Sequence, residues 1–237
     1  MVLGFEWKSL SQIQVMLNRI KKALINYSFI ELGMYTFFHI YISFLGFFST
    51  ILFRIKTICW RIDVGSNLKI FGSVYIFKYP GSTIVIGKKF SSISNSSRAL
   101  ATSIFAPTSI KTLSSKAKIV IGNNVGLNGT SISSRSSVIR FEDNVMIAAN
   151  VTIMDSDYHV VYPSVDRLIN PGVEFDKDIL IKKNVWIGTR SIILKGVTIG
   201  ENSVIAAGSI VKNSIPPNVL AGGVPAKVIR KIDSNSG

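Results

Sequence analysis

Cysteine is almost missing from this chain and histidine is scarce: Cys59, His39 and His159 are all that 237 residues contain of the two. A lone cysteine forms no internal disulfide, so a packed core must hold the fold, and a reducing compartment suits it. Two widely separated histidines cannot supply a three-histidine zinc site, so no metal is expected. Acids are few as well: 13 Asp and Glu stand against 27 Lys and Arg, a net charge of +14. The basic residues are scattered and no nucleic-acid motif accompanies them, so nucleic acid is not an expected partner. A phosphorylated cofactor, anionic lipid heads or an acidic glycan explains the charge more economically. No secretory signal is visible, because the first apolar stretch begins late and lacks a small-residue cleavage site. The expected location is cytoplasmic.

What the chain does have is a period. Ile181, Ile187, Ile193, Ile199, Ile205 and Val211 stand six apart. Six fits neither the 3.6 of a helix nor the two of a flat strand; it is the spacing of a parallel β-helix, one hexapeptide to each side of a triangular coil. Four residues after each ladder position comes a small or β-branched residue: Val185, Ser191, Val197, Ser203, Ser209. Three residues after it comes Asn184, Gly196, Asn202 or Gly208, the types that enter left-handed backbone at least cost, and these read as corners. Val64 with Asn67, Ile121 with Asn124, Phe141 with Asn144 and Ile147 with Asn150 repeat the code, whereas Arg190 takes a corner position without such a side chain. A β-sandwich, the nearest alternative, should show period two.

Three segments follow from composition. Residues 1–60 form an apolar and basic helical segment. In it Gln12–Asn26 reads as an amphipathic helix, and Tyr27–Phe53 is long enough to cross a bilayer. Polar interruptions and basic residues on both flanks favour a helix or helical hairpin lying in the membrane interface, over packing on the coil or a true span. Residues 61–232 form the β-helix, with Ser-rich, degenerate coils at 91–118 and a two-residue slip near Ile139. Residues 233–237 are a tail. The ladder stops over 154–180, an excursion loop of a length that is usually functional.

At the head of that loop is Asp155-Ser156-Asp157-Tyr158-His159. A neighbouring carboxylate can orient an imidazole and make it a usable base near neutral pH. His39, inside the apolar segment, reads as a packing or interfacial residue.

The stretches Asn184-Val185-Trp186-Ile187-Gly188, Gly196-Val197-Thr198-Ile199-Gly200, Ala207-Gly208-Ser209-Ile210-Val211, Ile215-Pro216-Pro217-Asn218 and Gly223-Val224-Pro225-Ala226-Lys227-Val228-Ile229-Arg230 resemble the C-terminal signature of the hexapeptide-repeat acetyltransferases. The likeness covers about residues 119–232 and is nearest to the galactoside, maltose and xenobiotic O-acetyltransferase branch with its polysaccharide-modifying relatives. It implies a left-handed parallel β-helix, a homotrimer with active sites between subunits, and direct acetyl transfer from acetyl-CoA to a sugar hydroxyl. The expected acceptor is a surface or capsular polysaccharide or its lipid-linked precursor, met at the inner face of the cytoplasmic membrane. An amino-sugar N-acetyltransferase or a serine O-acetyltransferase is the alternative on the same fold.

Residue by residue, the resemblance makes His159 the general base, with Asp157 orienting it or touching the acceptor. Asn128, Asp155 and Trp186 fall at acceptor-binding positions. Thr189, Ala207, Gly208, Lys212, Lys227 and Arg230 fall along the arm and phosphates of CoA, although Lys212-Asn213 departs from the family's Thr-Lys pair. A noncatalytic scaffold would instead show a regular exposed Thr array and no loop.

Overall fold

The computed structural model describes residues 27–99 and 102–232. The helix expected over Gln12–Asn26 and the tail at 233–237 lie outside them. The chain divides into two compact units, residues 1–44 and 45–237.

The first unit holds the start of α1 (Phe29–Cys59). Ser28 and Glu31 close its N-terminus reciprocally: the Ser28 hydroxyl accepts from the Ile30 N–H at 3.3 Å, and the Glu31 carboxylate accepts from the Ser28 N–H at 2.8 Å. Two otherwise orphaned groups are thereby satisfied, and Glu31 lies at the positive end of the helix dipole. No hairpin interrupts the segment. It is one continuous helix with Phe29, Ile30, Tyr35 and Phe37 exposed.

The second unit is a β-helix whose boundary differs from the one read at residue 60, because the rear of α1 belongs to it. Phe53 is buried and stacks on Phe90 at 6.0 Å. Thr50 and Ser49 hydroxyls accept from the Ile70 and Gly72 N–H groups at 3.2 and 3.1 Å. At Gly46 the two segments touch, since a Cβ there would lie 2.7 Å from the Phe71 ring. The first coil has no preceding coil to pair with, and α1 covers that open end. Arg61, at φ +49°, ends the helix as the Ile62 N–H reaches back to the Thr57 carbonyl at 2.8 Å.

From Asp63 onward the chain visits three parallel sheets in rotation. Asp63–Val64, Thr83–Ile86, Lys118–Ile121, Val138–Phe141, Ile179–Ile181 and Thr198–Ile199 form the first face. Lys69–Phe71, Ser91–Ile93, Gly126–Asn128, Met146–Ala149, Trp186–Ile187, Val204–Ile205 and Val219–Gly223 line up on the second. Val74–Lys78, Thr108–Thr112, Ser131–Ser134, Thr152–Met154, Ile192–Ile193 and Ile210–Val211 make the third. Ile181 pairs with Ile199, Ile187 with Ile205 and Ile193 with Val211, so each ladder residue meets the one three hexapeptides later. The ladder fills the interior and is fully buried. Each such aliphatic side chain contributes about 1.5–3 kcal/mol over leaving it in water.

The expected corners adopt left-handed backbone: Asn67, Asn124, Asn144, Asn150, Asn184 and Asn202 have φ between +55° and +61°, and Gly196 and Gly208 +76° and +72°. Along the edge joining the first and second faces the asparagine amides form a hydrogen-bonded ladder. Asn124 donates to Asn144, Asn144 to Asn184, Asn184 to Asn202 and Asn202 to Asn218, at 2.8–3.1 Å. Arg190 also turns at φ +58°, with its guanidinium 4.9 Å from the Phe105 ring. A hairpin, Val219–Gly223 against Ala226–Lys231, ends the β-helix.

Two insertions bear on the site. The slip near Ile139 is Arg135-Ser136-Ser137, between a third-face and a first-face strand. Directly beyond it the excursion loop leaves after Met154 and rejoins at Ile179.

Candidate active site

The loop is fastened at its root. Asp155 is buried, and its carboxylate accepts from the Arg135 N–H at 2.7 Å, the Ser134 hydroxyl at 2.9 Å and the Ser137 N–H at 3.0 Å. This corrects the expectation that Asp155 binds acceptor: the carboxylate faces inward and its lone pairs are spent on the turn below. The Asp155 carbonyl also accepts from the Lys177 N–H at 3.1 Å, tying the outgoing limb to the returning one.

His159 sits above this root, exposed to solvent. Its Nδ1 lies 2.7 Å from the Arg167 carbonyl oxygen. A carbonyl only accepts, so Nδ1 carries a proton, and in the neutral ring the lone pair is on Nε2. Arg167 is itself held, its Nε and Nη2 donating to the Val161 carbonyl at 3.2 and 3.1 Å. The orienting group is therefore a main-chain carbonyl of the loop, and the expected orienting carboxylate has another partner: Asp157 Oδ2 is 2.6 Å from Lys195 Nζ. Asp157 and Lys195 nonetheless line the same cavity as His159, about 300 Å³ in volume, with Tyr162, Phe175 and Lys177. Its walls pair apolar surface with charge, as sites for polar small molecules do.

The other expected residues do not line that cavity. Asn128 lies on the second face, half-buried, its amide donating to the Ile147 carbonyl at 2.8 Å. Trp186 is on the same face, half-exposed, in register with Met146 and Val204. Thr189, Ala207 and Gly208 are at the edge joining the second and third faces, where the Thr189 hydroxyl donates to the Ala149 carbonyl at 2.7 Å. Gly208 is open there, with nothing within 4 Å of where a Cβ would be. Lys212 follows the last third-face strand, and Lys227 and Arg230 stand exposed on the terminal hairpin. His159 leaves the coil at the edge joining the third and first faces. His159 and the group Thr189, Ala207 and Gly208 are thus on different edges of one coil.

Sequence reasoning missed Arg135, Asp176 and Lys195. The Arg135 guanidinium, nearly buried, makes a bidentate pair with Asp176, Nε to Oδ2 at 2.8 Å and Nη2 to Oδ1 at 2.6 Å. The hydrogen bond to Asp176 raises the Arg135 guanidinium above its ordinary pKa, outweighing the opposing effect of burial. Burial by itself would raise the Asp176 carboxyl, but hydrogen bonds from Arg135, Ser136 and Ser156 prevail and hold it below the usual carboxylate range. The only trace of this pair in the sequence is the slip that inserts Arg135. Among the described residues no cluster of His, Cys, Asp and Glu is placed to hold a metal ion.

Residues 178–213 match the family described as Bacterial transferase hexapeptide (six repeats). The chain is 44% identical over 115 residues to the galactoside O-acetyltransferase of Escherichia coli (strain K12), covering 48% of this chain and 55% of that protein. It is 38% identical over 128 residues to a Staphylococcus haemolyticus protein named for acetyltransferase activity, covering 47% of this chain and 67% of that one. The chain spans about half the length of the first curated relatives it matches. Among solved structures it is similar to a point mutant of AntD, an N-acyltransferase from Bacillus cereus in complex with dTDP and coenzyme A. The TM-score is 0.53 at 22% identity, over 72% of this chain and 84% of that one. That likeness bears on the fold, which is a left-handed parallel β-helix.

Proposed function

We propose, since this chain belongs to the hexapeptide-repeat acetyltransferase family, that it moves an acetyl group from acetyl-CoA to a sugar hydroxyl with His159 as general base. The observation that carries this reading is the His159 imidazole, its Nδ1 held by the Arg167 carbonyl and its Nε2 free at a cavity of about 300 Å³. Nε2 takes the acceptor's hydroxyl proton as the oxygen attacks the thioester carbon. The C–S bond then breaks, and the imidazolium returns the proton to the leaving thiolate. The sugar gains an O-acetyl group and CoA leaves as the thiol.

Two features support the finer parts. The open, small-residue edge at Thr189, Ala207 and Gly208 has room for the thin arm of CoA, with Lys212, Lys227 and Arg230 as cations for its phosphates. Because that edge and the His159 edge differ within one chain, a site made from both needs a neighbouring copy, which fits a homotrimer. The acceptor in this reading is a surface polysaccharide or its lipid-linked precursor. α1 is long and apolar enough to cross a membrane by length and composition. Its exposed aromatics, with Arg54, Lys56 and Arg61 after them along the chain, suit contact with the inner face of the cytoplasmic membrane. An amino-sugar acceptor is the competing reading, since the structurally similar AntD is an N-acyltransferase.

Candidate glycans and amino sugars incubated with acetyl-CoA and the protein should gain one acetyl mass on oxygen. His159→Ala should abolish the gain while CoA affinity stays within about twofold, because the base is separate from the CoA arm. Near-normal turnover by that variant would refute the assignment.

A further inference from the structure

We propose that Arg135 and Asp176 form a clasp that positions the excursion loop, and that this clasp, resting on the reading of His159 as base, sets how well the imidazole meets the acceptor hydroxyl. Arg135 is anchored in the coil, on the short insertion between two strands, yet its guanidinium reaches both limbs of the loop. On the outgoing limb it lies 5.6 Å from the ring of Tyr158, the residue before His159. On the returning limb it donates to the carbonyls of Pro171 and Gly172 and to both oxygens of Asp176. Asp176 is almost completely buried and accepts a further bond from the Ser136 hydroxyl at 2.6 Å.

Three consequences follow from this arrangement. Gly172 lines the same cavity as His159, so one guanidinium fixes the histidine's neighbour and a part of the cavity lining together. Tyr158 is held at φ +65°, unusual for an aromatic residue, with its hydroxyl 2.6 Å from the Ser133 hydroxyl. Such a conformation persists only where surroundings over-determine it, and it aims the next side chain. Finally, the three faces beneath are already joined by continuous parallel ladders, so the coil does not depend on the clasp. A desolvated ion pair adds little net stability over apolar packing, but it fixes one geometry, because losing a partner strands a buried charge. The clasp is therefore placed to order the loop, and Arg135 and Asp176 are positioning residues.

Full-length Arg135→Met, Arg135→Lys and Asp176→Asn variants test this. Arg135→Met should lower kcat by roughly 100-fold, the cost of misplacing a reacting group by about 1 Å. The KM for acetyl-CoA should stay within about twofold, because its proposed edge is elsewhere on the coil. Arg135→Lys should rescue only in part, since an ammonium keeps the charge but not the planar fork. Hydrogen exchange should rise across residues 156–177 in Arg135→Met, but at most around Arg167 in His159→Ala, while exchange in the coil strands stays unchanged. Wild-type exchange in the loop of Arg135→Met would overturn the clasp whatever the activity. So would raised exchange with wild-type kcat, or a kcat loss matched by an equal loss of CoA-binding protein. Full turnover by His159→Ala is a different failure: it would remove the base assignment and leave the exchange result to judge whether the loop is clasped.

Discussion

In the proposed reaction a single imidazole, that of His159, accepts the proton, and a main-chain carbonyl orients it. The Arg167 carbonyl fixes the tautomer, while the nearby carboxylates are occupied: Asp155 by the turn beneath the loop and Asp157 by Lys195. The carboxylate whose titration is shifted by its surroundings is that of Asp176, paired with Arg135. The Asp176 carboxyl is held below its ordinary value in the folded protein. Its contribution is therefore fully present above the unfolded-chain value of about 3.9 and is lost as pH falls through the lower folded value. Protection factors of the loop amides, exchange corrected for its intrinsic pH dependence, should stay flat in wild type from pH 7 to about 4 and fall only below that, whereas Asp176→Asn should show lower protection throughout. The cations of the terminal hairpin act differently. Lys227→Ala with Arg230→Ala should weaken CoA binding by about tenfold at low salt, a loss that shrinks at 1 M salt where screening is nearly complete. Isothermal titration with CoA at two salt concentrations reads this, and an effect confined to the acceptor's KM would exclude the phosphate contact.

At the scale of the element, α1 is a single helix with two surroundings. Its first part carries exposed aromatics; its rear supplies Phe53 and the hydroxyls of Ser49 and Thr50 to the first coil. Two truncations should separate these roles. Removing residues 1–44 should leave a folded protein that co-sediments much more weakly with anionic vesicles and still acetylates a small soluble acceptor. Removing residues 1–56 uncovers Phe90 and the Ile70 and Gly72 N–H groups, and should give aggregation or a clearly lower Tm. Equal vesicle binding by the full chain and the shorter deletion would exclude membrane contact through this segment.

For the whole molecule, the informative fact is that His159 and the Thr189–Gly208 corner occupy different edges of one coil. If neighbouring copies complete each other's sites, two inactive variants should complement. His159→Ala mixed one to one with Ala207→Trp, which blocks the open edge, should form hybrid trimers in which roughly a quarter of the interfaces join an intact histidine to an intact corner. Activity should return to about that fraction after co-refolding and stay absent in either variant alone. No recovery in mixed trimers verified by mass would place both halves of the site on one chain.

The β-helix was legible in the sequence because its determinants are local and repeated. Each hexapeptide carries its own interior aliphatic residue and its own corner, so Ile181 to Val211 and Asn67 to Asn202 declare the coil without reference to distant residues. His159 stands out in the sequence through scarcity, its place at the head of a loop without a ladder, and the family resemblance. The contacts that shape the site do not. Arg135 and Asp176 are 41 residues apart, and Asp157 meets Lys195 only because the loop folds back over the coil. Before folding, Asp155, Asp157 and Asp176 are three similar carboxylates on one segment. Burial and the particular donors beside them make the first a staple for the turn, the second the partner of a cavity lysine and the third half of the clasp. The boundary between the two units was hidden for the same reason: the apolar run continues through residue 44 without a break in composition, and only packing against Phe90 and Phe71 assigns the rear of α1 to the coil. Repetition is written along the chain, whereas a side chain's partner is decided by which distant segment the fold brings to it.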